Sequence, residues 1–270
     1  MTRMAAVQMT SGPRVPENLD AAGRQIAAAV ESGAKLVVLP ENFALMPLND
    51  TDRLAAAEPD GKGPIQDFLA AQARQHHVWL VGGTIPLTAN TANKVLAACL
   101  VFDDQGKRVA RYDKIHLFDV QLDNGEKYHE SSSFEPGEEV VVAETPYGKL
   151  GLSVCYDLRF PELFRRLLEK GAEIFAAPAA FTAHTGKAHW EVLLRARAIE
   201  NLVYVIAAAQ DGRHANGRET HGDSMMVSPW GEILARLPHG AGYVMADCDQ
   251  ARLRDTRKNL PSINHRKIHS

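Results

Sequence analysis

The chain has 270 residues, of which 45% are hydrophobic and 23% charged, with a formal net charge of -3. That length and balance allow one large buried core or two smaller ones. Basic and acidic side chains are dispersed rather than blocked, which excludes a nucleic-acid or membrane footprint and leaves a small molecule as the expected partner. The first residues, Met-Thr-Arg-Met-Ala-Ala-Val, enter a short apolar pattern with no signal-peptide core, and no later apolar run approaches a spanning length, so a cytoplasmic address is expected. Periodicity predicts a strand at 4–9, an Ala-rich helix at 18–32 closed by Gly33, and a strand at 35–39. A helix at 64–77 follows, then strands at 78–84, 94–102 and 109–112, the last two joined as a hairpin through Asp103-Asp104-Gln105-Gly106. The second half predicts strands at 149–154 and 173–177 around a helix at 161–169, then a helix at 190–201. Strands at 203–209, 224–227, 232–236 and 243–247 precede a polar helix at 250–258 and a basic, loose tail. We therefore expect a main domain over 1–250 and a C-terminal helix and tail over 251–270.

Two passages align without gaps: residues 32–43, Ser-Gly-Ala-Lys-Leu-Val-Val-Leu-Pro-Glu-Asn-Phe, and residues 170–181, Lys-Gly-Ala-Glu-Ile-Phe-Ala-Ala-Pro-Ala-Ala-Phe. Each reads as a helix end, a buried strand, a proline and a loop, at the same place in the order of elements, as an internal duplication requires. Two such halves can stack sheet on sheet as an α/β four-layer α-β-β-α sandwich, with a single doubly wound sheet as the rival. No GxGxxG or GxxxxGK[ST] pattern supports nucleotide binding.

The three cysteines, Cys99, Cys155 and Cys248, are odd in number and lack CxxC spacing, so neither a disulfide framework nor a zinc cluster is expected. Cys155 sits where a strand stops and Pro161 suits the first turn of a helix. That placement is similar to a nucleophile elbow, in which the next backbone N–H, here that of Tyr156, is free to bind an oxyanion. The competing reading is a buried structural cysteine. A nucleophilic thiol needs a base or a nearby cation. Glu41, directly after Pro40 at a strand end, suits a general base, and Lys114, just past a strand, can lower the thiol pKa and hold a tetrahedral oxyanion. Glu130 can orient Lys114 or a water, and as a second carboxylate would raise the proton affinity of Glu41. Each residue alone reads equally as a surface group. Of the 11 histidines none is placed diagnostically: His184 and His189, in an expected loop-to-helix passage, are five apart rather than four, so no metal is expected.

Jointly, four passages resemble the nitrilase superfamily of carbon-nitrogen hydrolases: residues 39–42 (Leu-Pro-Glu-Asn), 112–117 (Tyr-Asp-Lys-Ile-His-Leu), 155–162 (Cys-Tyr-Asp-Leu-Arg-Phe-Pro-Glu) and 186–191 (Gly-Lys-Ala-His-Trp-Glu). The resemblance covers nearly the whole chain. It implies a catalytic triad of Glu41, Lys114 and Cys155 with Glu130 as an additional glutamate, a four-layer α-β-β-α fold, homodimers, and no cofactor. Within the superfamily, residues 188–200, 204–210 and 260–266 are similar to deaminated glutathione amidases, although Pro-Ser-Ile-Asn at 261–264 stands where a Pro-Val-Phe pattern is expected. The expected activity is hydrolysis of the amide of a small keto acid through a cysteine thioester, with deaminated glutathione as substrate. An omega-amidase acting on alpha-ketoglutaramate and a non-catalytic binding protein on the same fold are the alternatives. For substrate contacts we name Tyr156, Arg159, Phe181 and Thr185. Arg195 and Arg197, two apart on a helix, cannot both face one ligand.

Overall fold

A computed structural model gives the fold, and residues 1–268 are described. The first half runs β1 (Thr2–Gln8), α1 (Val15–Glu31), β2 (Leu36–Val38), a short α2 (Asp50–Ala55), α3 (Pro64–His76), β3 (Trp79–Val81), β4 (Ile85–Thr88), β5 (Val95–Phe102) and β6 (Arg108–Asp113). A small hairpin, β7 (Asp119–Gln121) and β8 (Lys127–His129), leads into β9 (Val142–Thr145), β10 (Gly148–Leu152), α4 (Pro161–Glu169), β11 (Ile174–Ala176) and α5 (Ala183–Asn201). The chain finishes with β12 (Tyr204–Ala207), the hairpin β13 (Asp211–Arg213) and β14 (Glu219–His221), β15 (Ser224–Val227), β16 (Ile233–Leu237), β17 (Gly242–Cys248) and α6 (Gln250–Asn259).

Two sheets result. One has the order β17-β1-β2-β3-β5-β4 with β6 also on β5, and the other β16-β15-β12-β11-β10-β9. Strand alternation stacks them. Met4, Ala6, Leu36 and Val38 point into a core shared with Leu152, Ala176, Ile206 and Met226 of the second sheet. Their neighbours Ala5, Val7, Val37 and Leu39 point the other way, onto Ile26 and Ala29 of α1 and Leu69 and Ala73 of α3. On the far face of the second sheet lie Phe164 and Leu167 of α4 and Trp190 and Leu194 of α5. The fold is therefore a four-layer α-β-β-α sandwich, not one doubly wound sheet.

The repeated passages occupy equivalent central strands. In one sheet Leu36 of β2 pairs in parallel with Met4 and Trp79, and in the other its aligned counterpart Ile174 of β11 pairs in parallel with Leu150 and Tyr204. Both Leu39 and Ala177 then donate their N–H to the neighbouring strand just before a proline. The loops that follow those prolines emerge at the ends of parallel strands, where ligand sites of α/β folds collect.

Three expectations need correction. Helix α5 starts at Ala183 rather than 190, because the Thr182 side chain caps it by accepting from the Thr185 N–H, so His184, Thr185 and His189 are helical. The short α2, β4, β7, β8, β9, β13 and β14, three to six residues each, are too brief for periodicity to register. The tail is not loose as far as Arg266, which donates to Glu169 at 2.8 Å, and α6 buries Leu253 in the main core. The last two residues of the expected tail lie outside the described residues.

Candidate active site

Glu41 follows β2 in a turn held from two sides. The Gln210 side chain donates to the Glu41 carbonyl at 3.0 Å and to Ser11 at 2.8 Å, and Asn42, at φ 56°, donates its N–H to the Thr84 hydroxyl. Gly83 lies so close behind that any side chain there would strike the Pro40 carbonyl, at 2.0 Å from an added carbon. The Glu41 carboxylate is thus aimed by a buried frame from both halves of the chain.

Lys114 continues β6, with its N–H on the Ala97 carbonyl at 3.0 Å and its carbonyl taken by Gly137. Its side chain is only 2% exposed, so the ammonium must find its partners inside the protein. It has two: Nζ donates to Glu41 Oε1 at 2.9 Å and to Glu130 Oε1 and Oε2 at 2.9 and 2.8 Å. Glu130 opens the short turn after β8 and also accepts the Phe118 N–H at 2.6 Å. If both Glu130 oxygens share one N–H, one of the three ammonium donors stays free for another acceptor.

Cys155 lies at φ 48°, a left-handed conformation that costs a side-chain-bearing residue energy and must be held by its surroundings. Its N–H donates to the Pro178 carbonyl at 2.8 Å. Among the described residues the Tyr156 N–H has no acceptor. Asp157, fully buried, is the clamp: Oδ2 accepts from the Val154 N–H and the Tyr112 hydroxyl, each at 2.7 Å, while Oδ1 takes the His116 N–H and pairs with its Nδ1. One carboxylate thereby ties the Cys155 turn to the segment carrying Lys114. Nothing in the sequence pattern marks Asp157 for this role, although it lies within the 155–162 motif. Asp157→Asn would turn a donor toward the Val154 N–H, and we expect a stability loss of about 1–3 kcal/mol. Turnover should fall on the order of 100-fold as the thiol shifts relative to Lys114. Thermal unfolding and kcat measured on one preparation check this, and unchanged kcat would remove Asp157 from the site.

The charges set the resting protonation. For Glu41 burial favours the neutral acid, but Lys114, through charge and hydrogen bond together, outweighs it, so the carboxyl sits below its ordinary value and is ionised. Lys114, which bridges the two carboxylates, outweighs any rise from Glu130. For Lys114 burial opposes the charge, yet Glu130, Glu41 and Cys155 hold the ammonium above its ordinary value. Cys155 is pushed well above the usual thiol range, first by burial and then by Glu41, and Lys114 only partly offsets this. Lys114 thus lowers the thiol as expected, but burial and Glu41 outweigh it. The thiol therefore rests protonated beside a carboxylate that can take its proton and an ammonium that favours the thiolate. Cys99 and Cys248 are buried outside this site, and desolvation pushes Cys248 up to about 12.

A cavity of about 270 Å³ opens over these groups, lined by Glu41, Lys114, Glu130 and Cys155 and also by Tyr156, Arg159, Phe181 and Thr185. Arg159 stands over the Phe181 ring at 5.2 Å and the Tyr156 ring at 5.9 Å. Arg195 and Arg197 do not line it: Arg195 pairs with Glu191, and Arg197 with Glu200 and the Leu158 carbonyl. Three further cations line it: Arg53 from α2, Lys127 from β8 and Arg218 from the β13–β14 hairpin. None of the three stands in a motif or in an element that periodicity reveals. Among the described residues no group of three or more His, Cys, Asp or Glu side chains could hold a metal ion.

The family model described as carbon-nitrogen hydrolase matches residues 3–258. The chain belongs to this family. A deaminated glutathione amidase of Synechocystis sp. strain PCC 6803 is 44% identical over 265 residues, covering 97% of each chain. The C. elegans NitFhit protein superposes with a TM-score of 0.91 at 37% identity over 98% of this chain, which spans only 65% of that longer protein. A mutant of the amidase from Nesterenkonia sp. AN1, which shows Michael addition of acrylamide at its active site cysteine, matches with a TM-score of 0.77 at 27% identity, covering 97% of this chain and 98% of that one. This carbon-nitrogen hydrolase is a cysteine-dependent amidase. Among its described residues no helix is long and apolar enough to cross a membrane.

Proposed function

We propose that the chain hydrolyses deaminated glutathione to alpha-ketoglutarate and cysteinylglycine, with Glu41, Lys114, Cys155 and Glu130 as its catalytic residues. The observation that carries the chemistry is the buried Lys114 ammonium bridging two carboxylates in the cavity that also holds Cys155. Glu41 takes the thiol proton as Sγ bonds to the amide carbon, and the oxyanion is met by the free Lys114 donor and the Tyr156 N–H. Glu41 returns the proton to the leaving nitrogen as the C–N bond breaks, leaving a thioester. Glu41 then takes a proton from water as its oxygen bonds to the acyl carbon, and gives that proton to Sγ as the C–S bond breaks, releasing the acid and restoring the thiol and the carboxylate. Glu130 holds Lys114 in place throughout. Arg159, Phe181 and Thr185 form the wall that receives the keto-acid end. No cofactor enters this sequence.

Support for the substrate comes from the near full-length likeness to an amidase of that name and from the cations around the cavity. The test is alpha-ketoglutarate release from deaminated glutathione and from alpha-ketoglutaramate, side by side. A higher kcat/KM for alpha-ketoglutaramate would make the chain an omega-amidase and leave the thioester chemistry standing. No release from either, with Cys155 reactive and the fold intact, would make it an amidase of another substrate.

The pH profile has a definite sign. Glu41 must be ionised to accept the thiol proton, and its pKa is depressed, so the acid limb of kcat/KM should fall below the ordinary carboxylate value. Lys114 is held above its ordinary value, so its deprotonation should produce no alkaline limb through mildly basic pH. A rate that rises through neutral pH with the titration of a histidine would reject Glu41 as the base.

We also propose a cytoplasmic homodimer. Val192, Ile199 and Trp230 are exposed large apolar side chains, the first two a heptad apart on α5 and Trp230 next to Gly231, which abuts Ile199. Val192→Asp combined with Ile199→Asp should shift the sedimentation coefficient to that of a monomer. The main domain over 1–250 and the C-terminal segment over 251–270 remain our division of the chain.

A further inference from the structure

The cavity has an electrostatic character that the thioester chemistry does not require. Its lining holds five formal cations, Arg53, Lys114, Lys127, Arg159 and Arg218, against three carboxylates, Glu41, Asp50 and Glu130, although the chain as a whole carries -3. Lys114 is taken up by Glu41 and Glu130, and Arg53 by Asp50. Arg53 stands over the Phe134 ring at 5.0 Å, Arg218 over the Tyr128 ring at 5.3 Å, and one Arg218 Nη donates to the Ala180 carbonyl. The Nε–H of each is buried without an acceptor. Two guanidiniums close enough to oppose each other's charge, each with an unmet donor, form a wall that an anion would complete.

Direction follows from the proton donor. In the proposed reaction Glu41 protonates the departing nitrogen, so the leaving half of the substrate extends on the Glu41 side of the thiol. Among the cations, Lys114 and Arg218 act most on Glu41, and Arg53 lies near enough to feel both Glu41 and Glu130. Arg159 instead covers Tyr156 and Phe181 and contacts His189 at 3.1 Å. The acyl half and the leaving half thus meet different arginines.

We propose that Arg53 and Arg218 form a second carboxylate subsite that binds the leaving half of the substrate, so that the enzyme selects amides with a carboxylate on each side of the scissile bond. This rests on the proposed hydrolysis of deaminated glutathione. In that substrate the glycine carboxylate belongs to the leaving half, whereas alpha-ketoglutaramate carries a carboxylate only on the acyl half and releases ammonia. Arg53 and Arg218 would then set the preference between the two.

The experiment measures kcat/KM for three substrates with wild type, Arg53→Gln and Arg218→Gln: deaminated glutathione, its glycine carboxamide, and alpha-ketoglutaramate. Ratios within one preparation cancel any fraction of misfolded protein, and Arg218→Lys, which keeps the charge but not the fork, serves as a milder variant. In each Gln variant the ratio for deaminated glutathione over alpha-ketoglutaramate is expected to fall by about 10- to 100-fold. Wild type should lose a similar factor on the carboxamide, and the variants should lose little more. Equal losses on all three substrates, or indifference of wild type to the carboxamide, would overturn the subsite while leaving the proposed function in place. If wild type releases no alpha-ketoglutarate from deaminated glutathione, the functional reading fails and the subsite falls with it.

Discussion

Glu41→Gln is expected to stop amide hydrolysis while making Cys155 quicker to alkylate. The carboxylate plays two opposed parts. It accepts the thiol proton during attack, and its charge holds that proton on sulfur beforehand, being second only to burial in raising the thiol. Glutamine keeps the shape and an oxygen for Lys114 but removes both. Turnover should drop about 100- to 10,000-fold for loss of the general base. The labelling pKa of Cys155 should move down, because Lys114 continues to favour the thiolate, and iodoacetamide should react several-fold faster at neutral pH. Amide turnover and alkylation rates across pH, on the same sample, separate this from simple damage. A variant that loses both together would mean that Glu41 only builds the site.

The larger structural effect is expected from Lys114→Ala. Two carboxylates, Glu41 at 4% exposure and Glu130 half-buried, would face one cavity without the cation that bridges them. Leaving such charge uncompensated costs about 3–5 kcal/mol, and loss of an oxyanion donor costs about 3 kcal/mol in the transition state, so kcat should fall at least about 100-fold. The pH dependence of stability should change slope. In the wild type Glu41 is depressed, so its contribution is complete above the unfolded carboxylate value and is lost as pH falls through the folded value. Without Lys114 burial dominates, the folded value rises above the unfolded one, and ionisation then opposes folding. The deficit in Tm against wild type should therefore grow from acidic to mildly alkaline buffer. A deficit independent of pH would show that lost packing, not charge, is responsible.

Which parts of this architecture sequence could reveal depended on where the physical signal lay. Strands such as β2 and β11 are short apolar runs ended by proline, so their place and their duplication were legible, and from them the pairing of two sheets. Glu41, Lys114 and Cys155 stand just past strand ends, and the motifs around them drew attention to all three. The ion-pair geometry was not legible, because whether Lys114 lowers a thiol or neutralises two carboxylates depends on distances of an ångström. Asp157 was hidden for a different reason: its four partners come from residues 112–116 and 154, and a buried clamp looks on paper like any aspartate. Arg53 belongs to a six-residue helix and Arg218 to the turn between two three-residue strands, elements stabilised by tertiary contact rather than by their own periodicity.

The pairing of β17 with β1 runs through seven consecutive positions, from Thr2 opposite Cys248 to Gln8 opposite Gly242. A ribosome that has delivered only the first 240 residues has therefore made every group of the active site but left a seven-residue border of the first sheet unpaired, with free N–H and C=O groups open to another nascent chain. Chains shortened before Gly242 should therefore collect in insoluble material rather than as weakly active enzyme.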